Sequence, residues 1–205
     1  MKTDVRLKTL VLSVVFSALG PVVTFLAMTM NSSSTQIADF VRRTVELSVL
    51  IFALTTYLKI KKGRLTYDQV QRYETRIYRF LAVVLMLSAS VLIFLFIEGL
   101  VNPRVPEGTV WLGLTIALLG LLFNGYFMVR YQRFNHQKES FVMDSQSKMY
   151  QAKTLVDFNV VIALSSMVFF KASTLSYWID SIGTLLIALY LVVRALQLFK
   201  KKMPV

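Results

Sequence analysis

Residues Phe80 to Ile97 read FLAVVLMLSASVLIFLFI, an apolar run with no formal charge. A helix of roughly 20 such residues crosses the hydrocarbon core of a bilayer, and it keeps its backbone N–H and C=O groups bonded within itself. A strand of a membrane barrel would alternate polar and apolar side chains instead. The same pattern recurs on both sides of this run. Thr9 to Ala38 and Thr109 to Val129 also carry no formal charge. Three further apolar runs are interrupted: Phe40 to Leu58 by Arg42, Arg43 and Glu46, Leu155 to Phe170 by Asp157, and Tyr177 to Leu198 by Asp180 and Arg194. The 205 residues are 56% hydrophobic with a mean hydropathy of +0.60, more apolar than soluble domains usually are. They read as an all-α integral membrane protein. A single domain, residues 1–205, is expected to hold a bundle of six transmembrane helices at about 9–30, 37–59, 75–101, 109–132, 147–171 and 176–199. The first run is too long for a signal-peptide core and has no A-x-A-like cleavage site, so it reads as the first helix.

Basic residues set the orientation. With both termini in the cytoplasm, the inner segments collect most of the 23 Lys and Arg, among them Lys59, Lys61, Lys62, Arg64, Arg72, Arg76, Arg130, Arg133 and Lys200 to Lys202. The outer loops hold only Arg104 and Lys171. The expected location is the plasma (inner) membrane. This asymmetry, with attraction to anionic lipid, accounts for the net charge of +12. The lipid bilayer is the expected partner and a nucleic acid is not. There is no cysteine, and the single His136 falls in a polar stretch, so neither a thiolate nor a multi-histidine metal site is available. The nucleophile, base and metal set of an enzyme is missing as well. Pro21 is expected to kink the first helix, Arg130 to Met149 reads as the longest inner loop, and Trp111 and Trp178 mark outer ends.

Short motifs then follow one another in order. Ser33-Ser34-Thr35-Gln36-Ile37-Ala38-Asp39 opens the second helix and Arg72-Tyr73-Glu74 the third, which ends at Glu98 and Asn102-Pro103. Asn124 lies in the fourth helix, and Trp178-Ile179-Asp180 leads into Leu186-Ile187-Ala188 in the sixth. With six spans, both ends inside and polar positions in helices two and five, the chain resembles the cation diffusion facilitators over essentially its whole length. Its first motif is similar to the family's G-S-x-A-L-x-A-D and its second to G-R-x-E. The resemblance implies cation efflux in exchange for protons, with zinc or manganese as cargo and no cofactor. It also implies a homodimer.

The departures from the family pattern concern its ion site. The family takes H-x-x-x-D or D-x-x-x-D from helix two and H-x-x-x-D from helix five, a nitrogen and oxygen set suited to zinc. The matching positions here are Arg42-x-x-x-Glu46 and Lys153-x-x-x-Asp157. Thr66 and Val70 stand where the family's loop histidines fall, and no counterpart of its C-terminal cytoplasmic domain is expected in these residues.

Spacing of i, i+4 puts each pair on one helical face. Helices two and five run in opposite directions, so Arg42 is expected level with Asp157 and Glu46 with Lys153. The two ion pairs would be stacked about 5–6 Å apart. Arginine stays protonated, and a charged lysine is no ligand. No tightly bound divalent metal is therefore expected; Glu46 and Asp157 are the candidate ligands if one binds. Asp39 is expected to pair with Arg43, whose long side chain is expected to snorkel to the outer surface. Asn124 and Asn159 either line a polar cavity or bond between helices. Two functions remain open. In one, the protein is an antiporter in which Glu46 and Asp157 carry cation and proton, Lys153 is the switch and Arg42 a fixed counter-charge. In the other, a non-transporting pseudo-transporter uses the same charges to lock helix two to helix five and acts as a structural or regulatory membrane partner.

Overall fold

The structure, a computed structural model, describes residues 4–30, 34–101, 110–137, 140–169 and 174–200. Among them run six α-helices: α1 (Val5–Met30), α2 (Ser34–Lys61), α3 (Tyr67–Val101), α4 (Val110–Gln137), α5 (Phe141–Phe169) and α6 (Thr174–Lys200). Pro21 lies inside α1, which continues on both sides of it.

Local chemistry fixes the ends of these helices. The Asp4 carboxylate accepts the backbone N–H groups of Arg6 and Leu7 at 3.1 and 3.3 Å, capping α1. It also receives Lys61 at 2.9 Å and the Tyr57 hydroxyl at 3.1 Å, tying the start of α1 to the end of α2. Burial works to raise the Asp4 pKa, but these bonds, led by that from Lys61, outweigh it and hold the group below its ordinary value. At the end of α2, Gly63 takes a φ of 62°, a conformation that costs glycine little. Its N–H bonds the Ile60 carbonyl at 3.0 Å and that of Arg64 bonds Lys59 at 3.1 Å, the paired closure of a Schellman motif. Three residues later Thr66 opens α3. Gln69 reaches back to accept the Thr66 N–H at 3.1 Å, the return half of a capping box.

These caps lengthen the helices beyond the apolar runs. α3 begins at Tyr67 rather than near residue 75, and α5 at Phe141 rather than near 147. The stretch Arg130 to Met149 is not a long loop: α4 continues to Gln137 and only residues 138–140 separate it from α5. The reason is tertiary. Ser145, Gln146 and Ser147 are buried, and Arg6 donates to the Phe134 carbonyl at 3.0 Å. Asp144 receives Lys148 at 2.6 Å and the Tyr78 hydroxyl at 2.5 Å. Polar composition here marks a packed helix end, not a solvated turn. Of the outer turns expected at Asn31 to Ser34, Asn102 to Gly108 and Ser173 to Ser176, the second lies outside the described residues, as do 31–33 and 173, while Ser34 opens α2 and Thr174 to Ser176 begin α6.

Packing divides the bundle. α1 lies along α2, α4 along α5 and α3 along α6; α2 also meets α5, and α1 meets α4. The α1–α2, α2–α5, α4–α5 and α1–α4 contacts close a four-helix group, with the α3–α6 pair against it through α2 and α5. Large apolar side chains such as Val15, Val22, Val83, Ile97, Leu122 and Leu186 point outward, as a bilayer solvent requires. Among the described residues four helices are long and apolar enough to cross a membrane: α1, α3, α5 and α6. α2 departs from them through Arg42, Arg43 and Glu46, the charges that concern the site.

Candidate transport site

α2 and α5 touch over a short stretch only, and charge lies there. Lys153 Nζ is 3.1 Å from Glu46 Oε2, and each side chain keeps only 11% of its surface accessible. Both groups must be drawn from the helix sequences at matching depth, which the antiparallel course of α2 and α5 achieves. Lys153 also lies 5.4 Å from the Tyr150 ring centre, within reach of a cation–π attraction. A buried pair of this kind is stable only when its charges and hydrogen-bonding capacity are matched.

One turn further along α5, Asp157 faces α4. Asn124 Nδ2 donates to Asp157 Oδ2 at 2.6 Å. Gly120, one turn before Asn124, leaves the carboxylate room: a Cβ placed there would stand 3.4 Å from Asp157 Oδ2. Asn159 belongs to a different interface. It packs on Gly183 of α6, where an added Cβ would overlap the amide and come within 2.9 Å of its Cγ. Gly183→Ala is expected to force Asn159 aside and lower stability by about 1–3 kcal/mol, while leaving the Glu46–Lys153 centre in place. A melting curve with unchanged midpoint would show that the amide moves freely.

Arg43 packs on α1. Its aliphatic stem and guanidinium lie over Gly20 of α1, with Cδ 3.4 Å and one terminal nitrogen 3.3 Å from the position of an added Cβ. α2 contributes Arg42 and Asp39 as well, but their side chains, like that of Asp180, lie outside the described residues.

A polar column that sequence reasoning missed continues from Lys153 toward the basic end. The Tyr150 hydroxyl meets Ser17 Oγ at 3.2 Å, and its ring stacks on Tyr131 at 5.5 Å. Tyr131 in turn bonds Ser13 Oγ at 2.7 Å, and Arg130 donates to Thr9 Oγ1 at 2.8 Å. Thr9, Ser13 and Ser17 share a face of α1 at i, i+4 spacing, a hydroxyl stripe visible in an otherwise apolar run. Among the described residues no three His, Cys, Asp or Glu side chains gather to hold a metal. The centre sets the Lys153 ammonium against Glu46, with the Asp157 carboxylate one turn away under the Asn124 amide.

The cation efflux transmembrane domain family matches residues 10–205. The chain belongs to this cation efflux family. No curated protein matches it. A cation efflux domain is a multi-pass integral membrane protein of a cation-transporting class, and the six-helix bundle is its fold. Membership covers nearly the whole chain, so the α2–α5 crossing lies well within the matched region.

Proposed function

We propose that this cation efflux domain exchanges a cation for protons through an altered centre at the α2–α5 crossing. The observation that carries the reading is the Glu46–Lys153 pair, 3.1 Å apart and nearly shielded from solvent. An ionisable pair at such depth is costly and is usually kept for function. In the proposed cycle the Lys153 ammonium neutralises Glu46 while the site is empty. Movement of that ammonium, or loss of its proton, frees Glu46 for a cation, and Asp157 supplies the second carboxylate. Arg42, one turn before Glu46 in the sequence of α2, is the fixed positive charge of this reading, and zinc and manganese are the first ions to test. The Tyr150–Ser17 and Tyr131–Ser13 contacts supply hydroxyls between the centre and the basic end.

Both termini are assigned to the cytoplasm, in the plasma membrane, on the strength of the basic residues gathered at one end. Single-cysteine labelling checks this against a chain that has no native cysteine. Ser33→Cys is expected to react with an impermeant reagent from outside, and Lys62→Cys only after the membrane is opened. The reverse pattern would invert the assignment.

The self-neutralising pair also favours a second reading, in which it only joins α2 to α5 in a non-transporting partner protein. Flux in proteoliposomes decides between them. A panel of monovalent and divalent cations, with and without a pH gradient, is expected to reveal one that moves with counter-transport of protons. Absence of flux for every ion in a folded, correctly oriented preparation would leave the pseudo-transporter reading.

A further inference from the structure

Where α2 turns into α3, Lys59, Arg64, Arg72 and Arg76 line one open cavity of about 390 Å³ together with Gln69 and Tyr73. Among the described residues none of these four cations is paired with a carboxylate. Lys59 Nζ donates to the Tyr73 hydroxyl at 3.0 Å. The Tyr73 ring lies 5.2 Å from that ammonium and 5.9 Å from the Arg76 guanidinium. Four like charges around a concavity repel one another unless an anion fills it. The turn that presents them is pinned by the Gly63 and Arg64 backbone bonds and by the Gln69 cap, so little ordering remains to be done on binding.

From these contacts we infer that the cavity binds the headgroup of an anionic phospholipid, one that presents a phosphomonoester or more than one negative charge. Guanidinium forks match phosphate oxygens in pairs, and basic pockets at a membrane surface take such headgroups. The depth fits. Arg76 precedes the apolar run at Phe80 by one turn, about 6 Å along the helix, which is the thickness of a headgroup layer. Above it the Phe52 and Phe80 rings meet edge to face at 6.1 Å. The Phe52 ring also lies 6.1 Å from the cavity's Tyr73, and the apolar side chains of Ile51 and Val83 in the same two helices are 46% and 51% exposed. The assignment rests on residence in a bilayer and is independent of whether the protein transports.

The test is native mass spectrometry of the detergent-solubilised protein titrated with phosphatidic acid, phosphatidylglycerol or phosphatidylcholine. Phosphatidic acid is expected to be retained most strongly. Arg72→Gln with Arg76→Gln is expected to weaken its retention about thirtyfold. Lys8→Gln with Arg133→Gln, which removes the same charge from exposed positions at the same end of the bundle, is expected to change it less than about threefold. Should the first pair fail to fold, Arg64→Gln in the turn is expected to cost roughly fivefold alone. Equal losses in both pairs would overturn the site in favour of a diffuse positive potential. Equal retention of phosphatidylglycerol would overturn the multivalent headgroup. Competition by inorganic phosphate at matched concentration would make it a site for free anions instead of lipid.

Discussion

Glu46→Lys combined with Lys153→Glu is expected to regain most of the stability that either single substitution loses, and to abolish cation flux. Each single change leaves a like-charged pair where Lys153 and Glu46 now meet at 3.1 Å. Breaking a buried ion pair costs about 3–5 kcal/mol, enough to unfold a domain of ordinary stability. The exchange restores the attraction across α2 and α5 but moves each charge to the other helix. Some loss persists, because the new lysine on α2 follows Arg42 by one turn and the new glutamate on α5 precedes Asp157 by one turn. Like charges at i, i+4 cost a few tenths of a kcal/mol each. Transport should not recover, since the carboxylate proposed to take the cation now stands on α5 instead of α2. Thermal melting and proteoliposome flux on the same four proteins separate the readings. A structural lock gives rescued stability and no flux in any form, including the native one. Flux that survives the exchange would place the ion path elsewhere than the α2–α5 crossing.

The membrane fold was legible because apolar runs such as Phe80 to Ile97 are one-dimensional signals: length and absence of charge decide them without tertiary information. The level of Glu46 with Lys153 was legible for a similar reason, as it needs only i, i+4 spacing and antiparallel helices. Helix ends at the basic side were not. Thr66-Tyr67-Asp68-Gln69 carries the pattern of a capping box, yet its surroundings are polar and read as loop. Ser145, Gln146 and Ser147 also look like loop residues, and only the packing of α5 against its neighbours shows them buried. Asn159 and Arg43 show the same limit inside the membrane. Asn159 lies two positions after Asp157, but half a helical turn sends one to Gly183 on α6 and the other to α4. Arg43 has a long side chain that can reach several environments, and the absence of a Cβ at Gly20 leaves room for the one it takes. A gap left by a glycine on another helix has no signature in the sequence around the residue that fills it.

The native centre is expected to hold no divalent metal tightly, and two substitutions are expected to change that. The Lys153 ammonium, paired with Glu46 at 3.1 Å, repels a second cation. Arg42→Asp with Lys153→His removes both cations and leaves one imidazole and three carboxylates among positions 42 and 46 of α2 and 153 and 157 of α5. That set offers the nitrogen and oxygen donors that zinc accepts in a four-coordinate site. If the crossing keeps the geometry of the cation efflux fold, calorimetry should detect zinc at about micromolar Kd, near −8 kcal/mol. Zinc at a hundredfold excess over that Kd should then stabilise the variant by about 2.7 kcal/mol, with no comparable shift in the native protein. Asp157→Asn in the same background should remove the binding, because the Asn124 amide then faces another amide and a carboxylate ligand is gone. Zinc bound by the native chain and lost with Asp157→Asn would mean that Lys153 yields to a metal. In that case the ammonium is a displaceable gate on the ion site, and the exchange of Glu46 with Lys153 should weaken metal binding as strongly as it weakens flux.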